Sequence, residues 1–176
     1  MKNSLLGSLK FLILSLVVFG GFYTVLVTGI GQLFFSDQAN GSQVTKDNQL
    51  VGSKLIGQTF EQDGYFSGRS EKVSQLSPVS SKQKMLIEER IKKQLTKNPT
   101  QQNVPNDLVT ASASGVDPDI SLSAAEFQIA RIAKVRGLSE RTVHKVINQQ
   151  ARKDWFSDRY YVNVLQLNLA LDKLEA

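Results

Sequence analysis

No cysteine occurs anywhere in this sequence. That excludes disulfides, a lipid anchor through Cys, thiolate metal sites and thiol catalysis together. There is one histidine, so a transition-metal centre lacks its usual ligands. The expected catalytic, cofactor and metal residues are therefore none. The G-x-x-x-x-G-K-[ST] loop that cradles phosphates is missing, as is the Asp-Lys-Thr-Gly-Thr segment of a phosphorylated-aspartate pump. The G-x-S-x-G nucleophile elbow is missing too. The residues left for a hydrolase are Ser112 and Ser114 before Gly115, the sole histidine His144, and Asp117.

Charge is also absent where it matters most. From Phe11 to Phe35, 25 residues carry none. As a helix they span ~37 Å, against a hydrocarbon core of ~30 Å. A secretory signal has an apolar region of ~7–15 residues and an A-x-A-like cleavage site. This stretch is longer and has no such site, so a retained transmembrane helix is predicted. Lys2 and Lys10 precede it, and Asp37, Lys46 and Asp47 come after it. The positive-inside bias then places the N-terminus in the cytoplasm and the rest outside. Gly20, Gly21, Thr28, Gly29 and Gly31 form a predicted packing face for another helix.

The 176 residues suit one domain plus an anchor. Of 21 basic side chains, two precede or flank the span, so 19 stand against 16 acidic ones in the remainder. That net +3 is a poor nucleic-acid signature. Some 140 residues bury a core without staples.

Ser36–Asn48 is polar and reads as a juxtamembrane loop. A strand is predicted near Leu55–Phe60, and an irregular loop over Ser67–Ser81. Lys84–Asn98 has Ile87, Ile91 and Leu95 at i, i+4, i+8 and Glu-before-Lys pairs, which predicts an amphipathic helix ended by Asn98-Pro99. Asp107–Ser112 reads as a short strand and Gly115–Ser121 as a turn. Two helices come next. Ser123 with Glu126 suits a capping box, Gly137 a stop, and Ser139 a second cap with a Leu138–Val143 staple. Val162–Leu167 is predicted as a strand before a terminal helix.

Ile132–Ile147 is close to a DNA-binding helix-turn-helix pattern, with Arg141, His144, Lys145 and Arg152 available for phosphates. A membrane-anchored DNA-binding regulator is thus the alternative reading. The same cap, staple and glycine stop are required by any tight αα-corner. Asp117-Pro118-Asp119 is the densest carboxylate group. Two readings stand for it: a cation-attracting cluster, and a Pro turn whose Asp caps the next segment.

Ordered blocks across nearly the whole chain carry a further signal. They are T-G-I-G-Q (Thr28–Gln32), Q-A-N-G-S (Gln38–Ser42), G-S-x-L-I-G-Q-x-F (Gly52–Phe60) and Y-F-x-x-R (Tyr65–Arg69). Next come V-P-x-D-L-V-T-A-S-x-S-G-x-D-P-x-I-S (Val104–Ser121), A-A-x-x-Q (Ala124–Gln128), R-G-L (Arg136–Leu138) and V-N-V-L-x-L-N-L-A-L-D (Val162–Asp172). In this order they resemble the KdpC family, the C subunits of bacterial Kdp potassium-transporting ATPases. One stretch departs: the family's Gly/Ser/Asn-rich loop is replaced by S-E-K-V-S-Q-L-S-P-V-S, Ser70–Ser80.

The resemblance implies a single-pass, non-catalytic accessory subunit needed for assembly and activity of a high-affinity potassium importer. Its partners would be a channel-like potassium-translocating subunit, an ATP-hydrolysing pump subunit and membrane lipid, with no nucleic acid. Potassium and ATP enter only at the level of the complex. Any increase in the pump's ATP affinity would be indirect, since an extracytoplasmic domain cannot touch cytosolic ATP. The expected layout is residues 1–10 in the cytoplasm, 11–35 through the membrane, and 36–176 as an extracytoplasmic α+β domain with a small sheet and several helices. Gly29, Gly31, Gln32, Gln38, Asn40, Gly41 and Ser42 are expected to be partner-contacting or fold-critical. So are Asp107, Ser112, Ser114, Gly115, Asp117, Pro118 and Asp119. Asn40, Asp117 and Asp119 are the leading candidates for ion or partner contact.

Overall fold

A computed structural model describes residues 2–69, 73 and 75–174. The chain forms two units divided between Gln43 and Val44. The first is nearly all helix: α1 (Lys2–Ser15), a π-helical stretch (Leu16–Tyr23), α2 (Thr24–Phe34) and the short α3 (Ser36–Ala39). Ser4–Phe34 is 31 residues of continuous helix, long and apolar enough to cross a membrane, and none of its most apolar stretch is buried. Helix thus begins well before the predicted span. Gly20-Gly21 lies in the π-helical stretch, and a Cβ at either would meet nothing within 4 Å.

The second unit is α+β. β1 (Gln43–Lys46) and β2 (Gln49–Ser53) make a hairpin, followed by α4 (Ser81–Lys97) and α5 (Asn106–Val109). Then come β3 (Asp119–Ser121), α6 (Leu122–Glu126), α7 (Ile129–Arg136), α8 (Glu140–Gln150), β4 (Arg152–Lys153), β5 (Tyr160–Asn163) and α9 (Val164–Asp172). The second sheet is antiparallel in the order β3-β5-β4, with Ile120 opposite Val162. Helix α8 packs against α6, α7, α9 and β5. Ile132, Val143, Ile147, Val162, Leu167 and Leu171 are wholly buried between them.

Several local expectations are corrected, most by a hydrogen bond that outcompetes propensity and one by burial. The juxtamembrane stretch contains α3 and β1, and the hairpin turns on Asp47-Asn48, both at positive φ (52° and 61°), as a two-residue type I′ turn requires. The strand expected at Leu55–Phe60 is instead β2, ending at Ser53. Beyond it the Gln58 side chain donates to Val51 O (3.0 Å) and the Gly57 N–H to Val116 O (2.7 Å), so the chain turns off the ladder. Asp107–Ser112 is not a strand. Pro105 opens the single turn α5, which buries the adjacent Leu108 and Val109 on one side, as alternating strand faces could not.

Asp119–Ser121, expected within a turn, pairs with β5. The cap is Ser121, not Ser123: its extended backbone ends β3 and its Oγ accepts the Ala124 N–H. In the same way Asn163 ends β5 and caps α9 through the Gln166 N–H (3.1 Å), so Val164–Leu167 is helix rather than strand. The amphipathic helix starts at Ser81, three residues early, because Ser80 caps it. Gly137 is left-handed (φ 65°), and both its N–H and that of Leu138 converge on Ala133 O, while Ser139 caps α8. Residues 70–72 and 74 of the departing loop Ser70–Ser80 lie outside the described residues; the described ones from Ser67 to Ser80 carry no helix or strand.

The segment Asp63–Ser67 leaves a turn at Asp63-Gly64 and enters the core without a strand partner among the described residues, and side chains bond its peptide groups instead. Asn168 on α9 accepts the Phe66 N–H (2.8 Å) and donates to Phe66 O (3.1 Å). Gln128 accepts the Ser67 N–H (2.8 Å) and donates to Ser67 O (3.1 Å). Arg131 donates to Asp63 O, Tyr65 O, Asn98 Oδ1 and Gln128 Oε1. Burial lowers the pKa of its guanidinium, offset in part by Asp63. Arg136 donates to Gly64 O (2.6 Å) and Asp172, and lies 4.5 Å over the Tyr65 ring. Burial acts to raise the Asp172 carboxyl, but hydrogen bonds from Lys46, Arg136 and Tyr65 outweigh it and hold it below the usual carboxylate range.

This clasp makes two outcomes testable. Asn168→Ala leaves the buried Phe66 N–H and C=O unpaired, at about 1–3 kcal/mol each; chemical unfolding of the detergent-solubilised protein should show a loss of that size. Asp172 has a lowered folded pKa, so its stabilising contribution is complete above the ordinary carboxylate pKa and is lost as pH falls through the folded value. Melting temperature measured against pH should therefore fall less steeply in acid for Asp172→Asn than for the parent, from a lower plateau.

Candidate functional site

The Asp107–Ser121 block folds into a compact corner beside β3, and its polar side chains close on its own backbone. Asp107 Oδ2 accepts the Ser121 N–H (2.7 Å), tying α5 to the end of β3. Ser112 Oγ accepts the Gly115 N–H (2.9 Å) and Ser114 Oγ the Val116 N–H (3.2 Å), around Gly115 at φ 75°. Asp117 Oδ1 accepts the Asp119 N–H (3.1 Å) across Pro118, an Asx turn. Pro118 O accepts the Val164 N–H (3.0 Å), which joins the corner to the start of α9.

The two carboxylates of Asp117-Pro118-Asp119 have different fates. Asp117 Oδ2 pairs with Arg69 Nη1 (3.0 Å), while Arg69 Nη2 reaches Ala111 O (3.3 Å). Asp119 Oδ1 accepts from Asn163 Nδ2 (3.2 Å), which also donates to Lys54 O (2.9 Å). Burial raises the Asp119 carboxyl; the Asn163 hydrogen bond opposes this and the neighbouring Asp117 adds to it. The cluster is thus partly neutralised by its own fold. Arg69, with Gly57, Gln58, Gly68, Gly115, Asp117, Pro118 and Val164, encloses a cavity of ≈ 10 Å³, and the buried Arg69 Nε has no hydrogen-bond partner among the described residues. That space is about one water. Gly57 packs so closely here that a Cβ would lie 2.6 Å from Asp117 O.

The second set of expected residues gathers at the end of α2. Gln32 and Asn40 exchange amide hydrogen bonds (3.3 and 3.2 Å), and Asn40 also donates to Ser36 O (2.7 Å). Gly31 faces Ala39, where a Cβ would be 3.8 Å away, and Gly29 is open. The Gly41 N–H donates to Gln38 O and the Ser42 N–H to Asp37 O, with φ 80° at Gly41 and 48° at the buried Ser42. These residues make one closed helix corner.

The hydrolase set is not brought together. Ser112 is committed to Gly115, Asp117 to Arg69, and His144 to Asn148 (3.0 Å) and Glu126 (3.5 Å). Among the described residues no group of three or more His, Asp or Glu is placed to hold a metal. The Ile132–Ile147 pattern is a helix corner whose α8 buries Val143, Val146 and Ile147 in the core. Sequence reasoning missed Gln128, Arg131, Asn163 and Asn168. Gln128, Asn163 and Asn168 each stand within an apolar run that predicts burial, and a buried amide needs partners.

The sequence model of K+-transporting ATPase, c chain (KdpC), matches residues 5–173. Among similar curated proteins is the potassium-transporting ATPase KdpC subunit of Yersinia enterocolitica, 45% identical over 92% of this chain and 88% of its own length. Those of Mycobacterium bovis (40%; 99% of this chain, 100% of its own) and Methylibium petroleiphilum (41%; 98% of each) match end to end. With a match over nearly the whole chain and relatives 40–45% identical, this chain belongs to the KdpC family of potassium-transporting ATPase subunits.

Proposed function

We propose that this chain is the non-catalytic accessory subunit of an ATP-driven potassium importer, needed for assembly and activity. Ser4–Phe34 anchors it, with its N-terminus in the cytoplasm and the domain outside. ATP hydrolysis resides in a pump subunit and potassium passes through a channel-like subunit. The observation that carries this reading is the commitment of Asp107, Ser112, Ser114 and Asp117 to the protein's own backbone and to Arg69. Side chains so occupied hold a surface in shape and leave no nucleophile or base in place. Partner recognition then falls to the backbone shape of the corner and to the small-residue face of the membrane helix. Any influence on ATP affinity is conformational and crosses the membrane through partner helices.

Affinity purification of the tagged chain from mild detergent should bring down the pump and channel-like subunits, and a periplasm-active reporter fused after Ala176 should be active. A cytoplasmic reporter lighting up instead would contradict the orientation. Gly57→Ala sets a Cβ against the Asp117 carbonyl and should destabilise the domain by about 1–3 kcal/mol. Its expected signature is a lower yield of complex with unchanged ATPase turnover per complex recovered.

A further inference from the structure

Two large aromatic side chains stand almost fully in solvent at one turn. Residues 154–159 join β4 to β5, and there Trp155 is 94% and Phe156 99% exposed. The turn beneath them is well built. The Asp154 N–H donates to Arg159 O (2.9 Å), while its carboxylate accepts the Phe156 N–H (3.1 Å) and the Ser157 hydroxyl (2.8 Å). Lys153 pairs with Asp158 across it (2.8 Å). The rings are therefore presented by a turn whose polar groups are satisfied internally. Neighbouring aromatics exposed to this degree mark a surface that is covered in use.

The chain supplies one apolar surface within constant reach. Nine residues lie between Phe34 and Val44, a tether of at most about 35 Å. The tip also has the composition of a membrane interface belt: an amphipathic Trp, an apolar Phe, and Arg152, Lys153 and Arg159 interspersed with Asp154 and Asp158. We propose that the Trp155–Phe156 tip inserts into the headgroup–acyl boundary of the bilayer that holds Ser4–Phe34, with the Arg152 and Arg159 guanidinium groups against lipid phosphates. This second contact restrains the domain at the membrane surface; it rests on reading Ser4–Phe34 as a membrane span, and not on any partner subunit.

Trp155 is the sole tryptophan, so its emission reports on the tip alone. The test uses the full chain reconstituted in phosphatidylcholine vesicles, with flotation to score incorporation. Quenching is compared between lipids brominated in the upper acyl chain and aqueous acrylamide. The expected result is blue-shifted emission, lost with the brominated lipid and protected from acrylamide. Phe156→Ser should weaken the lipid quenching while leaving the far-ultraviolet circular dichroism unchanged. Emission quenched by acrylamide and indifferent to brominated lipid would overturn the proposal. So would shielding that appears only when the partner subunits are added, which would assign the tip to a protein contact. A chain that fails to float would overturn the membrane span itself, a failure distinct from that of the tip.

Discussion

The domain depends on how the segment from Asp63 to Ser67 is held. Phe66 is fully buried there, yet no strand among the described residues lies alongside to take its peptide groups. Asn168 and Gln128 supply a donor and an acceptor each, to the consecutive residues Phe66 and Ser67. A buried amide is costly when half satisfied and favourable when its whole set of bonds is made. Arg131 and Arg136 complete the set by binding the remaining carbonyls. The segment thereby cross-links α6, α7 and α9 and fixes the helices against the sheet.

From this clasp the rest of the domain can be followed outward. Arg69, two residues beyond Ser67, reaches the Asp117 corner. That corner is tied to α5 through Asp107, to α9 through Pro118, and to the hairpin side through Gly57. Polar residues that in an enzyme would converge on a substrate converge here on peptide groups.

Much of this was legible in the sequence where local chemistry decides the outcome. The charge-free run, the Gly137 stop, the Ser139 cap and the Asn98-Pro99 end each arise from one residue and its neighbours. The fold class and family were legible because the motif blocks keep their order. The illegible parts are set by contacts distant in sequence. Val164–Leu167 has strand-like residues, but Asn163 caps a helix there and Pro118 O takes the Val164 N–H. Leu55–Phe60 fails as a strand because Gly57 is drawn to Val116, and Asp107–Ser112 because two adjacent apolar residues must face one core. Within the candidate site, sequence singled out the Asp107–Ser121 block but not the bonding of each side chain. The amides Gln128 and Asn168 gave only the signal of polar residues in apolar runs.

The most direct measurement is hydrogen exchange at the Phe66 and Ser67 amides in the full-length protein. If side-chain amides stand in for a strand, both should exchange only with unfolding of the whole domain, at the rate of the α9 core. Exchange as fast as that of the exposed Ser77 and Val79 would contradict the account, because the clasp would then not be holding the domain together.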